Sequence, residues 1–403
     1  MEVAAEVPAG FHPVQPLTSP ALGVGMLGYG FMGKAHTNGF RKLPYIFWPP
    51  PAIPRLVAIA GRNEQAVKEA AVRYGYEGYY LDWREMVQDE RIQLFDNCAW
   101  HSAHVEPCIA AAEAGKHVLC EKPLATDARS ARAMWEAAER AGVKHMCAFN
   151  YRFAPANRLA RRLIEEGHLG RTYMIRLRYL QEHGSFPESP YRKYEGKAGV
   201  LLGLGSHLID MARFLVGEPT SVQGLLRTYV PTRAAADGRG RVEMTDDDTV
   251  IATLEFEGGA VGTLEASYAC RGRKNQFTWE IHGERGSMLW DLEDLNRLHV
   301  HLHEEKAPKV KGFENVLVTE GNHELMEAWW PHGHILSWEH LHANLIHHFV
   351  DAIVNDKPVG PYGATFEDGY RAAVISDCIE ASFRSGKRVA VDYENPPVLS
   401  EAV

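Results

Sequence analysis

Two side chains with acid–base capability stand out by their setting. Lys122 lies in Glu121-Lys122-Pro123, at the end of the apolar run 116–120, and His207 lies in Gly205-Ser206-His207-Leu208-Ile209-Asp210. An ammonium at the carboxyl edge of a sheet can orient a hydroxyl and stabilise alkoxide character as a hydride departs. A neutral imidazole can take the proton of that hydroxyl. Ser206 reads as an N-cap, which puts His207 in the first turn of a helix over about 206–216, where the helix dipole disfavours imidazolium. Asp210, one turn on, reads as the group that orients it. The plainer readings are a solvated lysine and a histidine that only bonds a helix start.

Hydride chemistry needs an acceptor, and Gly28-Tyr29-Gly30-Phe31-Met32-Gly33 offers a place for one. The pattern follows an apolar strand at 23–27 and opens a helix at 34–43. That context supports a dinucleotide pyrophosphate at the helix N-terminus. The second strand, 56–60, ends in Gly61-Arg62-Asn63, without the acidic residue that binds a ribose 2′-hydroxyl. Arg62 fits a 2′-phosphate, adenine stacking or a solvated loop, so NAD and NADP both stay open.

Alternating strand and helix signals from 23 to about 150 must position these groups. Strands are expected at 94–99, 118–120 and 145–149, with helices at 64–74, 104–114 and 127–141, the last capped by Thr126. That rhythm predicts an α/β doubly wound parallel sheet. From about 170 the texture becomes alternating segments at 173–181, 250–256, 261–268, 278–282, 287–291 and 298–303, with Gly258-Gly259 as a hairpin turn. An antiparallel or mixed sheet is expected there, with two helices between 337 and 383.

The 403 residues suffice for two domains, and a net charge of −9 argues against nucleic acid or anionic membrane as partners. No apolar stretch approaches the roughly 20 residues of a span. Six scattered cysteines without CxxC pairing read as reduced thiols of a cytoplasmic protein. Residues 1–21, proline-rich and without an apolar core, read as a flexible arm. The segment 329–348 carries several histidines, but no carboxylate or cysteine set completes a metal site, and none is expected. Trp329 or Trp330 reads as a lid over a sugar face or as interface packing.

Taken in order, four segments resemble the motifs of the Gfo/Idh/MocA oxidoreductases. They are the glycine loop through His36, 114–125 around Glu121-Lys122-Pro123, Asn150-Tyr151-Arg152-Phe153-Ala154-Pro155-Ala156, and 205–210. The resemblance spans about 22–390. It implies a Rossmann domain over 22–150 and an α+β substrate and oligomerisation domain over 151–403, with a large open-faced, mainly antiparallel sheet. It further implies homodimers or homotetramers built through that sheet, and reversible NAD(P)-linked oxidation of a sugar or cyclitol hydroxyl.

Phe47-Trp48-Pro49, Tyr179-Leu180-Gln181 and Ile281-His282-Gly283 look most like the levoglucosan dehydrogenase branch, whose substrates are oxidised at C3. On that likeness Lys122, Asn150, Tyr151, Gln181, His183, Arg192 and His207 line the substrate pocket. Trp100, His101, His104, Glu121 and Lys122 join the glycine loop and Arg62 around the cofactor. Arg192 with Lys193 hints at an anionic substrate. Two departures stand out: Gly203 replaces the usual Asp four residues before the histidine, and Ala99-Trp100-His101 replaces Thr-Pro-Asn. The first opens a second class, a glycoside hydrolase using retained NAD to make a transient 3-keto glycoside, with His183, Tyr194 or His101 as its extra base. A third class is a non-catalytic nucleotide-binding sensor.

Overall fold

The computed structural model describes residues 12, 18–189, 191, 199–303 and 311–399. Arg192, Lys193 and Tyr194, and nearly all of the proline-rich N-terminal stretch, lie outside them.

The first sheet is built from β1 (Ala21–Leu27), β2 (Ile53–Ala60), β3 (Gly78–Tyr80), β4 (Leu94–Asn97), β5 (His117–Cys120) and β6 (His145–Cys147). All pairings are parallel, in the order β3-β2-β1-β4-β5-β6. β1 and β4 are buried almost end to end, as parallel strands covered on both faces must be. The order reverses between β1 and β4, which opens a crevice at their carboxyl ends. One cap differs from expectation. Asp127, not Thr126, caps the helix Ala128–Ala141, its carboxylate accepting the Ser130 N–H at 2.8 Å. A charged acceptor suits the positive helix end better than a hydroxyl.

The second sheet is assembled from β7 (Thr172–Leu180), β8 (Pro219–Arg227), β11 (Thr249–Phe256), β12 (Val261–Ser267), β13 (Gln276–Gly283), β14 (Gly286–Asp291), β15 (Arg297–Leu302), β16 (Glu314–Leu317) and β17 (Val389–Ala390), while β9 (Thr232–Ala234) and β10 (Arg241–Glu243) pair separately. Its order is β16-β15-β14-β13-β7-β12-β11-β8-β17. Only the central β7–β12 pair is parallel, so the sheet is mixed and mainly antiparallel. β11 shows the logic: Val250, Ala252, Leu254 and Phe256 are buried while Ile251 stays exposed. The buried face packs on the helix Ser206–Leu215, and the other face is left open.

The last two long helices return to the first domain. Trp338–Val354 lies on Phe31–Ile46, where Lys42 donates to Glu339 at 2.7 Å. A Cβ on Gly39 would come within 2.6 Å of Ile346, so glycine permits that approach. Phe366–Ser385 packs on Ala128–Ala141, with Asp377 accepting the Ala128 N–H at 2.8 Å. Among the described residues no helix is long and apolar enough to cross a membrane.

Candidate active site

Gly28 follows β1 with φ +96°, and a Cβ there would fall 2.8 Å from the Cys98 carbonyl. At Gly33 a Cβ would meet the Gly28 carbonyl at 2.3 Å, so helix and turn are in backbone contact. Nothing lies within 4 Å of a Cβ built on Gly30, the residue that caps the helix Phe31–Ile46. Two glycines that must be glycine and one that faces open space form a cradle a pyrophosphate fits. The ring of Tyr29 lies over Gly61 at the end of β2, where a Cβ would be 2.2 Å from it. Arg62 next to it is exposed. Phe31 is 70% exposed and stacks on Trp338 at 5.2 Å, and Met32 is half-buried. Gly28→Ala should therefore weaken NADH binding about tenfold or more, from the strain of positive φ alone. Fluorescence titration of NADH checks this, and unchanged affinity would contradict the cradle.

Lys122 leaves β5 at the carboxyl edge, and its ammonium donates to the Gly203 carbonyl at 2.9 Å. Burial lowers it below the ordinary lysine value against the pull of Glu121. Gly203 belongs to a π-helical segment, Leu201–Gly205, that runs without a break into Ser206–Leu215. Ser206 is therefore not the N-cap: its hydroxyl donates back to the Leu202 carbonyl at 2.7 Å. The helix start is held instead by Asp247, which accepts the Leu201 N–H on its carboxylate (2.8 Å) and the Val200 N–H on its carbonyl (2.9 Å).

His207 thus sits inside a continuous helix, and the expected dipole effect is not what keeps it neutral. Burial does so first, with the Lys122 ammonium and His342 adding to it, and together they push the imidazole well below its usual value. Its ring touches Tyr151 at 4.8 Å and makes no hydrogen bond with a described residue. Asp210 does not orient it. Both Asp210 oxygens accept from Arg152, at 2.6–3.1 Å, so that carboxylate is committed to a buried ion pair.

Beneath Lys122 lies a buried charged network. His36 is fully buried, with Nδ1 3.0 Å from both Asp96 oxygens and Nε2 3.2 Å from Glu121 Oε1. Burial alone would lower its pKa, but Asp96 above all and Cys98 more than offset that, so His36 is an imidazolium. Glu121 accepts the Lys122 N–H at 3.0 Å with its other oxygen. It faces this network, not the crevice, so it positions Lys122 and is not itself placed as a cofactor contact. His104 is likewise buried, its ring nitrogens 2.9 Å from the Pro123 carbonyl and 3.1 Å from that of Ala99. It ties the loop after β4 to the turn after Lys122. Donor atoms of His36, Glu121 and His342 lie within 4.8 Å of one another.

The far wall is polar and aromatic. Tyr151 and Tyr179 share a 2.8 Å hydroxyl contact, and Asn275 accepts from Tyr179 (2.9 Å) and Gln181 (2.6 Å). Asn150 is buried, and its Nδ2 has no partner among the described residues, a donor left for a ligand. Exposed His183 meets Tyr268 at 4.5 Å and is pushed below its usual value by desolvation and Arg233. Trp100 is 40% exposed, lies 4.4 Å from the buried His101 ring and borders a cavity of about 330 Å³ with His183 and Tyr268. Tyr179, Asn275 and Tyr268 were not expected from the sequence. Tyr179 was marked by Tyr179-Leu180-Gln181 and by the buried parity of β7, though not as a pocket residue, while the other two sit in loops. Trp329 is no lid: it is buried, donates to Asn344 at 2.8 Å and packs on Phe47. Trp330 is about half exposed.

Residues 22–149 match the oxidoreductase family with an NAD-binding Rossmann fold, and residues 157–289 match the GFO/IDH/MocA C-terminal domain. The chain is 39% identical over 378 residues to levoglucosan dehydrogenase of Pseudarthrobacter phenanthrenivorans, covering 90% of this chain and 96% of that one. It is 28% identical over 268 residues to D-glucoside 3-dehydrogenase of Escherichia coli, covering 65% and 74%. A levoglucosan dehydrogenase structure in complex with NADH and levoglucosan superposes with a TM-score of 0.88 at 38% identity, covering 93% of this chain and all (100%) of that one. With both of its domains matched to the family and a glycine cradle opening the first helix, the chain belongs to the Gfo/Idh/MocA oxidoreductases.

Proposed function

We propose that this chain is an NAD-dependent dehydrogenase that oxidises a secondary hydroxyl, at C3, of a pyranose or glycoside. The observation that carries this reading is Lys122 Nζ on the Gly203 carbonyl, close to a neutral His207, at the carboxyl edge of the nucleotide-binding sheet. His207 takes the hydroxyl proton. Lys122 holds that oxygen and stabilises the charge that develops on it. NAD, when bound, accepts the hydride. Asn150, Tyr151, Gln181 and His183 hold the ring's other hydroxyls. The NAD-bound relatives favour NAD over NADP, and the exposed Arg62 leaves room for either.

Incubation with NAD or NADP and a panel of free pyranoses, anhydro sugars and aryl glycosides tests this. Net reduced cofactor is expected. Aglycone release without reduced cofactor would make the protein a redox-neutral glycosidase, and nucleotide binding with silence in both assays would make it a sensor.

The pH profile follows from the site's charges. His207 must be neutral to act as base, and its lowered pKa keeps it so in mild acid. The acid limb of kcat/KM should fall well below pH 6.5, the ordinary histidine value. The basic limb, where Lys122 loses its proton, should fall below 10.5. A profile with an acid limb at or above the ordinary value would remove His207 from the role.

A second copy of this chain fits the open sheet face. Leu225 and Ile251 are cross-strand neighbours on it, 45% and 47% exposed, and Val261 is 48% exposed. Ile251→Lys should shift the assembly to monomer in light scattering. An unchanged mass would place the interface elsewhere.

A further inference from the structure

We propose that Tyr268 is a substrate-contacting residue of this site, admitted to it by Gly203, with its phenol standing where a side chain at 203 would begin. The proposal rests on the sugar-oxidising reading above. A Cβ built on Gly203 would lie 2.0 Å from the Tyr268 hydroxyl and 3.2 Å from its Cζ. A side chain at 203 and the Tyr268 hydroxyl therefore exclude one another. The same Gly203 gives its carbonyl to Lys122, so the residue that makes room for the phenol also anchors the ammonium that would hold the reacting oxygen.

Three observations direct that hydroxyl to a ligand. It makes no hydrogen bond with a described residue. Its ring lies 4.5 Å from His183, and both border the cavity of about 330 Å³ that Trp100 of the first domain also lines. Burial and the Asp247 carboxylate raise the phenol's pKa, so it stays protonated and can donate. A neutral donor here suits a sugar hydroxyl, which accepts and donates, and adds no charge beside Lys122.

The test is a double-variant cycle read on a sugar the wild type oxidises. Tyr268→Phe should lower kcat/KM about tenfold, chiefly through KM, with NADH affinity and thermal midpoint unchanged, as loss of one substrate hydrogen bond requires. Gly203→Ala should cost at least as much, because its methyl displaces the hydroxyl. In the double variant that methyl meets only a ring carbon at 3.2 Å, so its kcat/KM should match that of Tyr268→Phe alone. Tyr268→Phe within about twofold of wild type, or losses that multiply in the double variant, would overturn the proposal. Should Gly203→Ala fail to fold, Tyr268→Phe alone decides. A wild type that neither oxidises nor binds any sugar would sink the functional reading and this proposal with it. An active wild type with an unaffected Tyr268→Phe sinks only the proposal.

Discussion

Lys122→Ala is expected to lower kcat about 10²–10³-fold, the scale of losing a pre-positioned charge at a developing oxyanion. The reasoning is local. The ammonium is anchored on one carbonyl, leaving its remaining N–H donors for the substrate oxygen. Water could fill the space left by the side chain but would not carry its charge. Nucleotide affinity should change little, since the glycine cradle is built without Lys122. Lys122→Met, which keeps most of the bulk, separates charge from packing and should be as slow as the alanine variant. Steady-state kinetics with NADH titration checks both. A methionine variant with wild-type turnover would show that the lysine only fills space.

The second large effect concerns His36, which never meets the crevice. His36→Leu leaves Asp96 and Glu121 buried at 0% and 4% exposure with their shared cation removed. Breaking such a buried pair costs about 3–5 kcal/mol, because the charges left behind have neither water nor a partner. The sign with pH follows from Glu121. Burial raises its pKa, but the hydrogen bond and charge of His36, with Lys122, hold it below the ordinary carboxylate value. Its stabilising share is therefore present above that ordinary value and is lost as pH falls through the folded one. The raised pKa of His36 adds a share that is full below 6.5 and lost as pH rises, so the gap between wild type and variant should be fullest between 4.5 and 6.5 and narrow below that window, measured by denaturant unfolding at several pH values. A gap that keeps widening below 4.5 would refute the imidazolium bridge. Because Glu121 also accepts the Lys122 N–H, the variant should lose activity as well.

The parts of this site that were legible in the sequence are those whose signals are local. A glycine loop between strand and helix, a lysine at a strand end and a histidine on an amphipathic helix each announce themselves within about a dozen residues. What was misread depends on partners far along the chain. Ser206 looked like the N-cap of a helix over about 206–216. The helix in fact begins earlier, because Asp247 holds its first N–H groups from a different segment. Asp210 looked like His207's partner by spacing, yet Arg152 takes it, and a guanidinium fork outbids an imidazole for a buried carboxylate.

Strands with interrupted patterns were also missed. Pro219–Arg227 carries Ser, Gln and Gly in place of a clean apolar alternation, and only its pairing with β11 makes it a strand. Asn275 sits in the stretch between β12 and β13, where no periodicity exists to mark it, and Tyr268 closes the expected strand 261–268 one residue past the end of β12. The absent carboxylate at 203 was visible from the sequence. That a phenol fills its place was not, because that is a fact about three-dimensional proximity.

The central claim is direct transfer of the C3 hydrogen of a sugar to NAD in the crevice of Lys122 and His207. It is tested most directly with a pyranose deuterated at C3, NAD and the wild-type protein, followed by NMR of the released cofactor. The account predicts deuterium on the nicotinamide ring of free reduced cofactor, together with a 3-keto sugar. Unlabelled reduced cofactor, or an aglycone released with no reduced cofactor at all, would contradict it.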